Sequence, residues 1–333
     1  MKKSILITGN AGLIGSRMAD WILENHPEYE VVGIDDLSGG YIENVNEKVV
    51  FYQRDLSKEN IKDIFDTHEF EYVYHFACYA AEGLSPFMRM FNDRNNMLST
   101  DNIINECIMH DVKRLIYTSS NSVYGWGIKP GERFDENDTP MPIDPYGVSK
   151  YACELNIKSA GEQHSLDWCI IRPHNVAGIG QNLWDMYRNV IGIWMYQILN
   201  NEPMLIYGDG EQTRAFSYID DCLEPFWNAA VYEKASKQII NVGGTVAYSI
   251  NEVANMLSDI TNYKSHKHVE PRHEVKHAIP RHQKSIDILG YKDKTPIQEW
   301  LKTMWEWAKK QPMRERMKWD NYEITRGLYE YWK

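Results

Sequence analysis

Tyr146 and Lys150, in the run YGVSK, stand four residues apart, a spacing that puts both side chains on one face of a helix. An ammonium group held beside a phenol favours the phenolate and lowers its pKa. Such a pair can serve as a base near neutral pH. Upstream, YTSSNSVYG (117–125) follows an apolar run and offers Ser120, Asn121 and Ser122 as further hydroxyl and amide groups. Tyrosine and lysine at this spacing also occur on ordinary surface helices. The pair gains meaning only from the elements that position it.

Those elements begin at the N-terminus. Ser4–Thr8 reads as a short buried strand, followed by Gly9, Gly12 and Gly15, a helical pattern over Leu13–Leu23, and a second apolar strand, Tyr29–Asp35. Glycines at these positions let the backbone approach a pyrophosphate, and the helix N-terminus offers free N–H groups and a positive dipole end. Asp35 is placed to accept from ribose hydroxyls and to repel a 2′-phosphate, which favours NAD over NADP. Further strands are expected at Val49–Tyr52, Tyr72–Ala77, Arg114–Thr118 and Trp168–Arg172, alternating with helical segments. The alternation predicts an α/β fold of Rossmann type, a doubly wound parallel sheet, with a smaller α/β substrate-binding lobe. Residues 1–173 and 215–247 are expected to form the NAD-binding domain; 174–214 and 248–333 are expected to form the other lobe. Gly9, Gly12, Leu13, Ile14, Gly15, Asp35, Asp36, Asp55, Leu56, Phe76, Ala77, Tyr146, Lys150 and Pro173 are the expected cofactor contacts. For Asp55, an adenine contact and a helix N-cap before Leu56 are both open.

Composition narrows the partners. The 333-residue chain carries a net charge of −11, which argues against nucleic acid or an anionic membrane surface as its main partner. Five scattered cysteines without a CxxC pair suit a reducing, cytoplasmic setting and predict neither a disulfide framework nor a metal site. The lysines before the first apolar run mimic a signal peptide, but the run breaks into glycines after a few residues. No stretch approaches ~18 apolar residues, so no transmembrane helix is expected.

Taken together, TGNAGLIG (8–15), HFA (75–77), SSNSVYG (119–125), YGVSK (146–150), RPHN (172–175), YGDGEQTRAFSYIDD (207–221) and NVGG (241–244) resemble the extended short-chain dehydrogenase/reductase family, in particular its nucleotide-sugar epimerases and dehydratases. The resemblance implies that Tyr146 removes the proton of a sugar hydroxyl, Lys150 holds the nicotinamide ribose, and Ser120 hydrogen-bonds the same sugar oxygen. Hydride then passes from carbon 4 to NAD, leaving a 4-keto sugar. In the family's dehydratases the stretch after the serine resembles Thr-Asp-Glu-Val-Tyr-Gly, with an acid pair for elimination. This chain has Asn121 and Ser122 there, so the resemblance implies 4-epimerisation of a nucleotide sugar, UDP-sugars favoured, with dehydratase, decarboxylase and 3,5-epimerase as alternatives. A non-catalytic NAD-binding protein is the remote rival.

For the substrate, the resemblance implies contacts from Asn175, Arg188, Tyr207, Arg214, Arg272 and Glu274, with Ser120 and Asn121 at the sugar. The arginines would supply bidentate donors for a diphosphate. Glu82, in CYAAEGLSPF (78–87), either binds a sugar hydroxyl or caps a helix. Trp184, Tyr187, Trp194 and Tyr196 read as core, and Ala278 as near the place that limits an N-acetyl group. The family commonly forms homodimers through helices here near 94–110 and 146–164. The aromatic tail 311–333 is open between a packed helix, a dimer contact and a loose end.

Overall fold

The computed structural model describes residues 3–126 and 132–333. The chain starts with β1 (Ser4–Thr8), α1 (Leu13–Asn25), β2 (Glu30–Asp35), β3 (Val50–Gln53), α2 (Lys62–Thr67) and β4 (Phe70–His75). After α3 (Arg89–Asp93) and α4 (Ser99–Met109) come β5 (Arg114–Thr118), α5 (Pro145–His164), β6 (Trp168–Pro173) and β7 (Val176–Ala177). Next are α6 (Val190–Leu199), β8 (Met204–Tyr207), β9 (Thr213–Ala215), β10 (Ser217–Tyr218), α7 (Ile219–Val231) and β11 (Gln238–Val242). The last part holds β12 (Ala247–Ser249), α8 (Ile250–Thr261), β13 (His266–Val269), β14 (His277–Ala278), α9 (Gln283–Leu289) and α10 (Ile297–Ala308).

Seven strands form one parallel sheet in the order β11-β6-β5-β4-β1-β2-β3. Strands buried on both faces read as continuous apolar runs, which is why SILIT and RLIYT are buried at every residue. Apolar side chains on one face pack with α1 and α7, including Met18, Ile22, Leu223 and Phe226. The other face packs with α4 and α5 through Ile103, Cys107, Cys153 and Ile157. The order in which strands are added to the sheet reverses between β1 and β4, and ligands bind outside the carboxyl ends of strands at such a switch.

A second core joins α6, β8, α8 and α10 around Trp184, Trp194, Met204, Leu257, Trp300 and Leu301. Short pairings, β13 with β8 and β9 with β12 and β14, frame it. Trp184, Trp194 and Tyr196 belong to this core as expected. One boundary shifts. Leu289 and Tyr291, expected in the second lobe, pack into the first core beside α7, because α9 lies against α7 and β11. Beyond α10 the tail is a strap with one 3₁₀ turn, Glu330–Trp332. Among the described residues no helix is long and apolar enough to cross a membrane.

Candidate active site

A cavity of ≈ 240 Å³ opens at the carboxyl ends of β1, β2 and β4. Gly9, Gly12, Leu13, Ile14, Gly15, Asp35, Asp36, Asp55, Leu56, Phe76 and Ala77 all line it. Two of the glycines are sterically required. Gly9 has φ +69°, and a Cβ on Gly15 would lie 2.2 Å from the Gly9 carbonyl oxygen. No side chain caps the first turn of α1, so its N–H groups are left for an anion. Asp35 accepts from the N–H of Ala11 at 3.0 Å and of Leu37 at 2.8 Å. Burial raises its pKa despite those donors. A cradle without Cβ atoms, free helix N–H groups and a carboxylate at the end of β2 fit a dinucleotide.

Asp55 accepts from the Ser57 N–H at 2.9 Å and Oγ at 2.6 Å and pairs with Lys58 at 2.6 Å. It fastens its own turn while lining the cavity, and the N-terminal residue before α2 is Ile61 instead. Pro173 closes β6 and is absent from the cavity wall. Arg54, Cys78, Tyr79 and Asn95 also line the cavity and were not singled out in the sequence. They sit in irregular stretches just past strands or in a short helical segment, where periodicity says nothing about direction. Arg54 donates to the Gln53 carbonyl and faces Glu59 and Asp63, each at 3.7 Å.

Tyr146 and Lys150 lie in the first turns of α5, whose start is fixed by Asp144 accepting from the Gly147 N–H at 2.8 Å and by Pro145. Lys150 is buried; it donates to the Thr118 carbonyl at 2.7 Å and sits 5.9 Å from the centre of the Tyr146 ring. Thr118 ends β5, so the lysine ties the helix to the strand that delivers Ser120. Burial, and after it Cys78, pushes the Tyr146 phenol pKa up, and the nearby Ser120 hydroxyl opposes the shift. Cys78 lines the cofactor cavity, which brings that cavity up to the tyrosine.

The substrate set divides. Glu82, Arg214, Arg272 and Glu274 share one electrostatic neighbourhood with Ser122. Arg214 pairs with Glu274 at 2.8 Å, and the Arg272 guanidinium lies 4.0 Å over the Tyr207 ring. Arg188 is elsewhere. It lines the cofactor cavity, donates to Asp185 at 2.9 Å and covers Tyr79. Its position three residues after Asp185 favours that local pair. Asn175 uses its amide to hold the Ala215 carbonyl at 3.0 Å and has φ +44°, a loop-fixing arrangement. Asn121 opens the 3₁₀ turn Asn121–Tyr124 after Ser120. Glu82 caps no helix; its carboxylate accepts from Ser122 Oγ at 3.4 Å. Ala278 is buried with Val123, Tyr124 and Phe134, so it is a core residue.

The tail adds a wall that the sequence did not reveal. Tyr331 packs 4.7 Å from the Tyr207 ring, and Trp332 packs against Tyr187 and Phe87. Trp319 Nε1 donates to Tyr79 at 3.2 Å. Among the described residues no group of histidines, cysteines and acids is arranged to hold a metal.

Residues 5–243 match the model of the NAD dependent epimerase/dehydratase family. The chain belongs to that family. The enzyme's fold is also that of a Thermotoga maritima UDP-glucose 4-epimerase solved with UDP-glucose, with a TM-score of 0.87 and 31% identity over 92% of this chain and 99% of that one. A Bacillus cereus UDP-glucuronic acid 4-epimerase solved with UDP-glucuronic acid and NAD gives a TM-score of 0.84 and 27% identity, covering 92% and 99%. Human dTDP-D-glucose 4,6-dehydratase is 29% identical over 92% of this chain and 89% of its own.

Proposed function

We propose that the protein is an NAD-dependent nucleotide-sugar 4-epimerase acting on a UDP-sugar. The observation that carries the reading is the convergence of Ser120, Tyr146 and Lys150 beside the dinucleotide cavity, with no acid at 121 or 122. The similarity to solved UDP-sugar 4-epimerases supports the same choice.

In this reading NAD, cradled by Gly9, Gly12 and Gly15 with Asp35 at the ribose, supplies a reversible hydride acceptor. Tyr146 takes the proton of the sugar 4-hydroxyl and later returns it to the 4-ketone oxygen. Ser120 holds that oxygen in place. Lys150, fixed by the Thr118 carbonyl, favours the phenolate. Arg214 and Arg272 are the donors available to a diphosphate, with Tyr207 beside them; Arg214 must then leave Glu274 or share it. Bound NAD would hold the carbon-4 hydride and could return it to the opposite face of the ketone, the chemistry that inversion at carbon 4 requires.

The test is incubation with UDP-glucose, UDP-N-acetylglucosamine and UDP-glucuronate, with products resolved by NMR. A 4-epimer from one of them, lost in Tyr146→Phe, is expected. Release of water or CO₂ as the main course overturns the reading. A homodimer is part of the proposal, supported by Leu98, Val148 and Leu155, exposed to 52%, 52% and 49% at or on α4 and α5. A cytoplasmic setting is supported by five free cysteines, four of them buried.

A further inference from the structure

Glu82 belongs to the loop that follows β4, and that loop is fastened to the first turn of α5. Ser85 Oγ accepts from the Tyr146 N–H at 3.1 Å and donates to the Glu82 carbonyl at 2.8 Å. The Glu82 side chain meets the strand end that carries Ser120. Ser122 Oγ donates to Glu82 Oε2 at 3.4 Å, and Ser120 Oγ donates to Ser122 Oγ at 3.0 Å. The carboxylate is thus two hydrogen bonds away from the hydroxyl assigned to the sugar 4-oxygen. Arg272 touches the same loop. A Cβ on Gly83, the next residue, would stand 3.0 Å from Arg272 Nη1.

A nucleotide sugar has to fit between these marks. Its carbon 1 carries the diphosphate and its carbon 4 must reach Ser120, so the ring runs from Arg272 to Ser120 and passes Glu82. Glu82 is exposed. Among the described residues the carboxylate is in no ion pair, and its Oε1 accepts from no donor. The nearest cations have other work: Arg214 pairs with Glu274 at 2.8 Å, and Arg272 is the donor proposed for the diphosphate. Asp144 adds a second acid to the neighbourhood; burial, and after it Glu82, pushes its carboxyl up to about 7. A carboxylate placed in this way accepts hydrogen bonds from sugar hydroxyls. It also repels another carboxylate within about 4–6 Å, and protein walls screen the two less than bulk water does.

We propose that Glu82 selects the sugar, admitting a neutral hexose that offers hydroxyl donors and excluding a hexuronate. The inference rests on the epimerase reading, which sets where carbon 4 and the diphosphate lie. Glu82 adds no step to the reaction. It decides which sugar is held beside Ser120.

The experiment compares UDP-glucose with UDP-glucuronate in the parent, Glu82→Gln and Glu82→Asp. It measures kcat/KM for both, and Kd for both by calorimetric titration of the NAD-loaded protein. Assays run at pH 8.5, where the burial that raises the Glu82 pKa works least against its charge. The parent is expected to favour UDP-glucose by about 10-fold or more, as opposed like charges do at an interface. Glu82→Gln keeps the size and an acceptor oxygen but loses the charge. Its preference should shrink about 10-fold, chiefly through a gain for UDP-glucuronate. Glu82→Asp keeps the charge and should keep the preference. A merely structural glutamate would lower both substrates alike. A parent that prefers UDP-glucuronate, a ratio that Glu82→Gln leaves unchanged, or a Glu82→Asp variant that shifts the ratio as far as Glu82→Gln overturns the selection. A parent that forms no 4-epimer from any UDP-sugar overturns the epimerase reading instead, and the Kd ratios still decide the role of Glu82.

Discussion

Glu154 and Arg172 meet in the protein interior through two hydrogen bonds, Nε to Oε1 at 2.8 Å and Nη2 to Oε2 at 2.6 Å. Both side chains are essentially inaccessible, at 0% and 1% exposed. Glu154 lies on α5, one turn beyond Lys150, and Arg172 lies on β6. Ser119 completes the cluster by donating to Glu154 Oε1 at 2.5 Å. The helix of Tyr146 and the strand end of Ser120 are therefore fixed to one buried carboxylate.

Removing one member of a buried pair leaves the other charge uncompensated, at a cost of about 3–5 kcal/mol. Glu154→Gln is expected to lose stability on that scale in urea unfolding, through a lower midpoint at unchanged slope. A shift below about 1 kcal/mol, the range of surface pairs, shows that the pair does not hold the helix.

His75 gives a pH dependence of definite sign. Its Nδ1 lies 2.7 Å from Thr8 Oγ1 and its Nε2 3.1 Å from Thr100 Oγ1, and burial lowers its pKa from 6.5 to about 3. Between these values the unfolded chain binds a proton that the folded protein refuses. Stability from this site is thus complete above pH 6.5 and falls on acidification, by up to about 1.4 kcal/mol per pH unit. Urea midpoints at pH 7 and pH 5 check it; His75→Gln should flatten the difference.

Tyr331 packs on Tyr207 next to Arg272, one of the proposed diphosphate donors. Aromatic pairs contribute about 0.5–1.5 kcal/mol beyond burial. Tyr331→Ala is expected to change KM for the UDP-sugar several-fold while NAD affinity, measured by fluorescence titration, stays the same. An unchanged KM removes the tail from the substrate site.

The exposed leucine at 155 tests the assembly. A charge introduced into an apolar contact must be desolvated without a partner. Leu155→Asp should convert a dimer to monomers in analytical ultracentrifugation at micromolar protein, with the far-UV spectrum preserved. If the parent sediments as a monomer, the proposed dimer is wrong.

Much of this was legible in the residues themselves. The parallel strands show as apolar runs because both faces are covered, and Gly9 and Gly15 show because backbone contact there leaves no room for a Cβ. Tyr146 and Lys150 share a helix face by their spacing, and their role follows from the glycine turn and the serine-bearing strand end that accompany them. Arg188 has a guanidinium on a long stem that takes its partner in space, and Asp185 holds it at the wall of the dinucleotide cavity. Asn175 reads as a polar ligand in sequence, yet its loop conformation commits the amide to Ala215. Glu82 and Ser122 are 40 residues apart, so only the fold shows that the position lacking an acid has a carboxylate next to it. The strap after α10 has neither helical nor strand periodicity, and its course follows from aromatic contacts to loops far away in the chain.

That strap touches both halves of the molecule. Glu323 accepts from the N–H groups of Met90 and Phe91, each at 2.8 Å, on the sheet side. Met317 donates its N–H to the Trp184 carbonyl at 2.9 Å, and Tyr329 accepts from the His273 N–H at 3.1 Å, on the other side. Neither half can loosen without pulling on the same segment. Heat should therefore melt the two cores in one calorimetric transition, and a nick in the strap should separate them into two.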